Sequence, residues 1–408
     1  MIFIIILSPQ ITPSKVGIDC MNTLQIGVIT LIRSALTQRA YPLPEEFHIE
    51  DAASVIRRHH ISTLCYEGAV VCGIPTDTPF MKSLFNHYCS ATIKIARQDR
   101  AISKLLQSFE ENGIDYIPLK GTRMRPLYPK PELRIMGDAD ILVRKEQYER
   151  FVPIVKDQGY KRYGETAYDF SFESPDLFLE LHHRLLSPEE TAYTAIYADG
   201  WRLAKPLVGH RWEMSLEDEW LYMFGHFTKH YASGIGIRHV TDLWMFLQAY
   251  PEMDKAYIKK RLSKLNFGEF YNNVLALITV WFGDGQATEI TDYMTNYVFS
   301  NGSWGTEEAK IVSEVARGVE NNVPVPVLFI KRLWEFFFPP RERLERYFPV
   351  LRKHLWLYPI LALIRPFVRI FKDRGAVSLW FRIAGDYSGE KVDEKRRQLE
   401  YVGLKIKR

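Results

Sequence analysis

Residues 119–143 read LKGTRMRPLYPKPELRIMGDADILV and carry the clearest chemical pattern in the chain. The stretch ends in Asp138-Ala-Asp140 followed by an apolar run, which is typical of a strand that begins with two carboxylates. Because alternate side chains of a strand share a face, Asp138 and Asp140 are predicted to project together. Two aligned carboxylates repel each other, and a hard divalent cation relieves that repulsion. The pattern therefore indicates Mg²⁺, with Mn²⁺ as the alternative ion.

Two further stretches predict strands beside this one. Residues 114–119 read as a strand, and Lys120-Gly121-Thr122 follows as a turn into a short helix. Residues 177–182 read as another strand, which carries Glu180 among apolar neighbours. An acid in such surroundings is costly to bury unless it is paired or binds a metal. Three acids on neighbouring strands favour a two-metal site, although Asp-x-Asp taken alone is more often a polar turn before a strand.

Five short motifs follow one another along this part of the chain: Leu119-Lys-Gly121, Tyr128-Pro129, Leu133-Arg134, Gly137-Asp138-Ala-Asp140-Ile-Leu-Val143 and Leu179-Glu-Leu-His182-His-Arg184. Together they resemble the uncharacterised nucleotidyltransferase family of the DNA polymerase beta-like superfamily. The resemblance to the superfamily core covers about residues 80–190. Resemblance to the narrower family continues, more weakly, through the helical remainder.

The resemblance implies a glycine turn near the nucleotide phosphates, an Asp-x-Asp pair and a third acid on a later strand. It makes Asp138, Asp140 and Glu180 the expected catalytic and metal-binding acids, with Glu180 in place of the commoner Asp. Gly121-Thr122 stands where Gly-Gly or Gly-Ser is usual, so Thr122 is the expected hydroxyl near the phosphates. The expected nucleotide-binding residues are Lys120, Gly121, Thr122, Arg134, His182 and Arg184.

Two of these residues have a second interpretation. Arg134 lies four residues before Asp138 and is predicted to clamp a phosphate or Asp138 through its planar guanidinium. The alternative is a cap on a surface turn. His182 lies two residues beyond Glu180 and therefore on the same strand face. A lone histidine there is more often structural than catalytic.

Composition and element order predict the overall organisation. The chain has 408 residues, of which 47% are hydrophobic and 25% charged, so two or three globular domains are expected. The order of strands and helices predicts an α+β fold, in which a small mixed sheet has helices on one side and helical regions flank it at both ends. Residues 1–20 are expected to be artefactual or disordered, and Met21 is the more natural beginning. An N-terminal helical region (21–112) and the nucleotidyltransferase core (113–200) are expected to follow. The remaining divisions are a helical domain that completes the cleft (201–340) and a basic C-terminal helical extension (341–408).

Two segments beyond the core carry candidate contact residues. A helix over residues 216–231 places His226 and His230 four residues apart on one face, and Arg238 and Asp242 have the same spacing. We expect all four to face the cleft. The alternatives are a helix surface with two neutral imidazoles and a simple helix ion pair between Arg238 and Asp242. No acid beside the two histidines completes a zinc site.

The C-terminal region is basic and partly apolar. Residues 341–408 contain 17 Lys+Arg against 8 Asp+Glu. Residues 351–371 are rich in apolar side chains, but prolines and arginines interrupt them, so no membrane span is predicted. A helical pair that closes over the core or contacts a second protomer is favoured over an amphipathic helix in peripheral membrane contact. The four cysteines lack Cys-x-x-Cys spacing and indicate reduced thiols in a cytoplasmic protein.

The predicted function is Mg-dependent nucleotidyl transfer. The enzyme would move a nucleoside monophosphate from an NTP, with ATP the first expectation, using two metal ions about 3.5 to 4 Å apart. The acceptor is left open among small molecules, peptides and proteins; a nucleic acid is not expected, because no tRNA-binding module or zinc knuckle is recognisable. Two other classes stay open. One is a non-catalytic nucleotide-binding regulatory or scaffolding protein on the same fold, and the other is a metal-dependent phosphodiesterase, which is disfavoured for lack of His-Asp pairs.

Overall fold

The structure is a computed structural model of the 408-residue chain. It describes residues 20–186, 197, 199–303, parts of 327–344, 348–352, 354–372 and 389–404. Except for Cys20, the N-terminal segment 1–20 lies outside the described residues, and so does the question of where the natural chain begins.

Four helices precede the sheet, as the apolar spacing predicts. They are α1 (Thr23–Thr37), α2 (Ala53–His59), α3 (Ser62–Val71) and α4 (Pro79–Glu111). The Asn22 side chain accepts the Gln25 N–H and the Gln25 side chain accepts the Asn22 N–H, which closes a capping box at the start of α1. Helix α4 begins with a Thr78 cap and Pro79, and it ends before Gly113, whose φ is +67°. The chain then enters the sheet directly.

A seven-stranded mixed sheet with two short helices forms the centre of the molecule. Its strands are β1 (Tyr116–Pro118), β2 (Asp138–Val143), β3 (Lys161–Glu165), β4 (Asp169–Glu173), β5 (Phe178–His182), β6 (Ala204–Val208) and β7 (Arg211–Met214), and the helices are α5 (Lys120–Met124) and α6 (Tyr148–Asp157). The strand order is β3-β4-β5-β2-β1-β7-β6. Strand β2 pairs antiparallel with β1 and parallel with β5. The first acid-bearing strand is therefore central.

The sheet extends beyond the predicted end of the core at residue 200. Residues 204–214 form the β6–β7 hairpin, although the sequence pattern predicts helix from residue 201. A two-residue turn at Gly209-His210 joins the strands, with Gly209 at φ +56°. The short strands β6 and β7 lie at one end of the sheet, with β6 as the edge strand, and are mostly exposed or half-buried, so their hydrophobic signal is weak.

The two faces of β2 contact different layers. Ala139, Ile141 and Val143 pack in a hydrophobic core with residues of α4 and α6, which cover this face. Asp138 and Asp140 alternate with them and therefore point to the opposite face. The predicted α+β fold with a mixed sheet is confirmed.

Between β7 and residue 303 the chain is helical. The helices are α7 (Leu216–Ser233), α8 (Ile237–Ala249), α9 (Lys255–Lys264), α10 (Gly268–Phe282) and α11 (Glu289–Ser300). Their apolar residues share one hydrophobic core with α1, α2 and α3. A partly buried hydrogen bond joins the two regions, since Gln25 Nε2 donates to Asn296 Oδ1 at 2.7 Å. The division between residues 21–112 and 201–340 stays a proposal, because this core spans both.

A glycine corner connects α7 to α8. Gly234 has φ +100°, and a Cβ atom on Gly236 would lie 2.7 Å from the Cα of Ser303. Glycine at position 236 therefore lets two backbones approach more closely than any side chain would allow. This corner fixes how the first turn of α8 sits beside the end of α7.

Two helices are described near the C-terminus, α12 (Tyr358–Lys372) and α13 (Gly389–Tyr401). The end of α13 closes over the helical layer, because Val402 is fully buried and its carbonyl accepts a hydrogen bond from Asn273 Nδ2 at 3.0 Å. Leu363 and Phe367 of α12 are 66% and 64% exposed. No described helix is long and apolar enough to cross a membrane. The peripheral membrane contact predicted for residues 351–371 stays a prediction.

Candidate active site

Parallel pairing of β2 with β5 brings the predicted acids together. Asp140 lies directly opposite Glu180, and Leu142 lies opposite His182. Directly paired residues of neighbouring strands point to the same face, so both carboxylates project into one space. Asp138, Asp140, Glu180 and His182 line a single cavity of about 240 Å³. The three acids predicted from the sequence thus lie on one cavity, and their catalytic role stays a prediction.

Asp140 is the centre of the contacts in this cavity. Lys120 Nζ donates to Asp140 Oδ1 at 2.6 Å, and His182 Nε2 lies 2.8 Å from the same oxygen. The same nitrogen is 3.4 Å from Glu180 Oε2. The Tyr168 ring stacks on the His182 imidazole with 5.9 Å between ring centroids. Asp140 is 3% exposed, and its contacts with Lys120 and His182 compensate the cost of burying its carboxylate.

These contacts separate the pKa values of the two aspartates. Burial would raise the pKa of Asp140, but Lys120 and His182 hold it well below its usual range. Burial, followed by the negative charge of Asp140, raises the pKa of Asp138, and Lys120 offsets only part of that rise. Burial and Lys120 would lower the pKa of His182, yet Asp140 and Glu180 prevail and raise it. Asp140 is thus the firmly ionised member of the pair.

The turn after β1 places Lys120 over β2. The Leu119 N–H donates to the Asp140 carbonyl at 3.0 Å, and α5 begins at Lys120, which has φ +40°. This uncommon backbone conformation turns the chain sharply beside the acids. Gly121 follows and lines the cavity, and a Cβ atom there would lie 3.1 Å from Met136 Sδ. The predicted turn into a short helix is confirmed.

Two predicted nucleotide contacts lie outside this cavity. Thr122 lines a different cavity, beside Asp99 and Arg125, and its buried Oγ1 atom has no hydrogen-bond partner. Residues two positions apart on a helix point to nearly opposite sides, so Lys120 and Thr122 line different cavities. Arg184 is half-buried, is not among the residues that line the cavity of the acids, and its backbone N–H donates to the Tyr168 carbonyl at 3.3 Å. Neither residue lines the cavity of the acids, so their contact with the phosphates stays a prediction.

Arg134 contacts a different carboxylate from the one predicted. Its Nε and one terminal nitrogen donate to Asp242 Oδ1 and Oδ2 at 2.7 and 2.9 Å. Tyr128 also donates to Asp242 Oδ1, at 2.6 Å. The Arg134 side chain is 7% exposed, which excludes the alternative of a surface cap. This two-pronged pair ties the loop before β2 to α8. Arg134 also lines the cavity of the acids, and its contact with a phosphate stays a prediction.

Helices α7 and α8 form another wall of the cavity. The predicted contacts His226, His230, Arg238 and Asp242 all line it, together with Lys229. The pattern of α7 explains this, because residues 226 and 230 are one turn apart and Lys229 lies between them on the same side. The wall therefore adds imidazole and cationic groups to a space that also contains three acids.

His239 also belongs to this wall, and the sequence reasoning missed it. It lies in the first turn of α8 and is 9% exposed. Burial, followed by the charge of His230, lowers its pKa well below the usual range, and burial likewise lowers the pKa of His226. The signal in the sequence was a third histidine beyond the glycine corner. Its proximity to the pair on α7 depends on the fold of the glycine corner, which local spacing does not reveal.

Comparison with known proteins identifies the family. A sequence model described as an uncharacterised nucleotidyltransferase matches residues 45–283, which is more than half of the chain. The protein belongs to this nucleotidyltransferase family. The matched region starts before α2 and ends after α10, so it includes the whole sheet and the wall formed by α7 and α8. Neither the curated proteins nor the solved structures gave a match.

A nucleotidyltransferase acts on a nucleoside triphosphate, and divalent metals are typical of the class. In the described part of the chain, ligand atoms of Asp140, Glu180 and His182 all lie within 4.8 Å of one another. Carboxylate oxygens are the ligands that Mg²⁺ prefers, and a nitrogen donor beside them suits Mn²⁺ as well. Asp140, Glu180 and His182 therefore offer donors that fit a divalent ion, and Asp138 lines the same cavity.

Proposed function

We propose that the protein transfers a nucleoside monophosphate from an NTP to an acceptor in the cavity between β2, β5 and helices α7 and α8. The observation that carries the proposal is the register that sets Asp140 opposite Glu180 in a nucleotidyltransferase family member. Asp138, Asp140 and Glu180 would hold Mg²⁺ or Mn²⁺. When bound, the ions would neutralise phosphate charge and lower the pKa of the acceptor hydroxyl.

The cavity has the charge distribution that a triphosphate requires. Lys120, Lys229 and Arg238 bring positive charge to it, and Gly121 allows close backbone approach. We propose these four residues as the phosphate contacts, in preference to Thr122 and Arg184, which do not line the cavity. Phosphoryl transfer depends chiefly on positioning and on charge neutralisation, so fixed cations beside fixed carboxylates are a sufficient arrangement.

The proposed reaction needs one proton acceptor. The acceptor oxygen forms a bond to the α-phosphorus, the bond from the α-phosphorus to the β-phosphate oxygen breaks, and pyrophosphate leaves. The hydroxyl proton passes to the Glu180 carboxylate. Glu180 suits this role because its side chain is 26% exposed and directed into the cavity, whereas Asp140 is already bound by Lys120 and His182. His182 would keep the Glu180 carboxylate oriented from 3.4 Å.

The test is calorimetric titration of each of the four NTPs, with and without Mg²⁺. It compares the wild type with an Asp138→Asn, Asp140→Asn double variant. Glu173 and Asp176 are exposed acids near the β4–β5 turn, outside the cavity, so the Glu173→Gln, Asp176→Asn variant is a control matched in charge. We expect Mg-dependent NTP binding by the wild type and the control, and its loss in the folded Asp138, Asp140 variant. ATP is the first donor to examine.

Turnover then separates an enzyme from a nucleotide-binding scaffold. Incubation with NTP labelled on the α-phosphate and with pools of small molecules, peptides or the protein itself should release pyrophosphate and label the acceptor. Mg-dependent binding with no release in the presence of any pool would favour the non-catalytic regulatory or scaffolding role. An absence of NTP binding in the wild type, with every acceptor pool present, would contradict the proposed function.

A further inference from the structure

Three histidines converge on the cavity wall formed by α7 and α8. The ring centroids of His226 and His230 are 4.4 Å apart, those of His230 and His239 are 5.1 Å apart, and those of His226 and His239 are 6.1 Å apart. One ring nitrogen from each lies within 4.8 Å of the other two. The three imidazoles therefore surround a common point.

Backbone geometry determines this convergence. His226 and His230 are one turn apart on α7, and the Gly236 corner folds α8 back so that His239, in its first turn, joins them. The backbone of Ser303 packs where a Gly236 Cβ atom would be, which keeps the corner closed. The cluster thus consists of side chains on two helices held at a fixed angle, and rigid elements of this kind support precise sites.

The cluster has the chemistry of a transition-metal site. Imidazole nitrogen is a preferred ligand of Zn²⁺ and its neighbours, and three histidines with an open position are one of the known catalytic zinc arrangements. Zn–N bonds of about 2.0–2.1 Å put the ligand nitrogens of one ion roughly 3.4 Å apart. The histidine nitrogens lie within 4.8 Å of one another, so small side-chain rotations would bring them to that spacing. The buried Nδ1 atom of His239 makes no hydrogen bond of good geometry, although the imidazole interacts with the Gly236 backbone, so a metal would satisfy a ring nitrogen of this residue.

We propose that His226, His230 and His239 bind one divalent ion of the zinc class, separate from the oxygen-ligand site at Asp140 and Glu180. The remaining coordination position faces the cavity, since all three histidines line it. Lys229 and Arg238 line the same wall, so an anionic oxygen is the favoured fourth ligand.

The test is a Co²⁺ titration of untagged, chelator-treated full-length protein, followed by absorbance and competed with Zn²⁺. The wild type should bind one equivalent with the intense visible band of four- or five-coordinate Co²⁺, and Zn²⁺ should abolish the band. His239→Asn should weaken Co²⁺ binding by more than about 100-fold. This exceeds the loss in metal affinity that is typical when a residue hydrogen-bonded to a metal ligand is replaced. Asp140→Asn should retain the band, because it alters only the oxygen-ligand site.

Controls separate loss of the site from loss of the fold. His87 is exposed on α4 and does not line the cavity, so His87→Asn should bind Co²⁺ like the wild type. Near-ultraviolet circular dichroism establishes that each variant is folded, and a His226→Asn, His230→Asn double variant supplies a second test. A wild type without the band, or a band that persists in both folded histidine variants, would overturn the proposal. The readout is metal binding alone, so it is independent of nucleotidyl transfer.

Discussion

The guanidinium of Arg134 is bound by both carboxylate oxygens of Asp242, with nitrogen–oxygen distances of 2.7 and 2.9 Å. The two side chains are 7% and 12% exposed and are separated by 108 positions in the chain. The pair fastens the loop before β2 to α8. It therefore joins the loop that leads to the acids on the sheet to the helix that carries His239.

Removal of one member of this pair should be strongly destabilising. Asp242→Ala leaves a buried guanidinium without its counterion, and we expect a loss of about 3 kcal/mol or more in the free energy of unfolding. Denaturant unfolding measures it. Asp284→Ala is the control, because Asp284 is fully exposed and lies 3.4 Å from Arg33, so its loss should cost less than about 0.5 kcal/mol. Equal effects of the two substitutions would contradict a structural role for the buried pair.

Acid should destabilise the protein through His59. This imidazole is 1% exposed; its Nδ1 accepts the Ile237 N–H at 3.3 Å, and its Nε2 lies 3.4 Å from the Phe299 carbonyl. Burial lowers the pKa of His59 to about 4, so between pH 6.5 and 4 the unfolded chain binds the proton and the native chain does not. This contribution to stability is complete above pH 6.5 and is lost as the pH falls, up to about 3 kcal/mol.

The measurement is the free energy of unfolding between pH 4 and 7, compared between the wild type and His59→Gln. The variant should have a flatter pH dependence in this window, whatever its stability at pH 7. His60→Asn is the matched control, since His60 is exposed at φ +52°, a conformation that Asn tolerates. The prediction fails if His59→Gln and the wild type lose stability in parallel as the pH is lowered.

Lys120 should compete with the proposed metal for Asp140. Its ammonium lies 2.6 Å from Asp140 Oδ1, and replacement of Lys120 by Met removes that competing charge. We expect Mn²⁺, followed by paramagnetic resonance in the absence of nucleotide, to bind about tenfold more tightly. Lys145→Met, an exposed site outside the cavity, should leave Mn²⁺ affinity unchanged. Weaker Mn²⁺ binding by Lys120→Met would show that the ammonium supports the ion site instead of competing for it.

Gly236 should not tolerate a side chain. The Cβ atom of Ala would lie 2.7 Å from the Ser303 backbone, so Gly236→Ala should lower the free energy of unfolding by about 1–3 kcal/mol. Gly268 starts α10 with open space around it, and Gly268→Ala should be neutral or stabilising by up to about 1 kcal/mol. Thermal unfolding of the two variants provides the comparison. A neutral Gly236→Ala would mean that the corner opens without cost.

Local sequence patterns were sufficient to predict the central strands of the sheet and the turn beside the acids. The strand with Asp138 and Asp140, the turn into α5 and the strand with Glu180 were all predicted, because alternation along a strand and glycine at a turn are short-range properties. The β6–β7 hairpin was missed. Its strands are short and largely exposed, so edge pairing rather than a buried apolar face defines them.

Sequence alone thus determined which acids share a strand face, where α4 ends and that the chain resembles a nucleotidyltransferase. Tertiary structure alone decided the partners of the charged groups: Arg134 with Asp242, Lys120 with Asp140, and His239 with the histidines of α7. The reason is physical. A side chain's face follows from its own backbone, whereas the partner of a buried charge or a metal-binding nitrogen depends on which distant segments packing brings within about 3–5 Å.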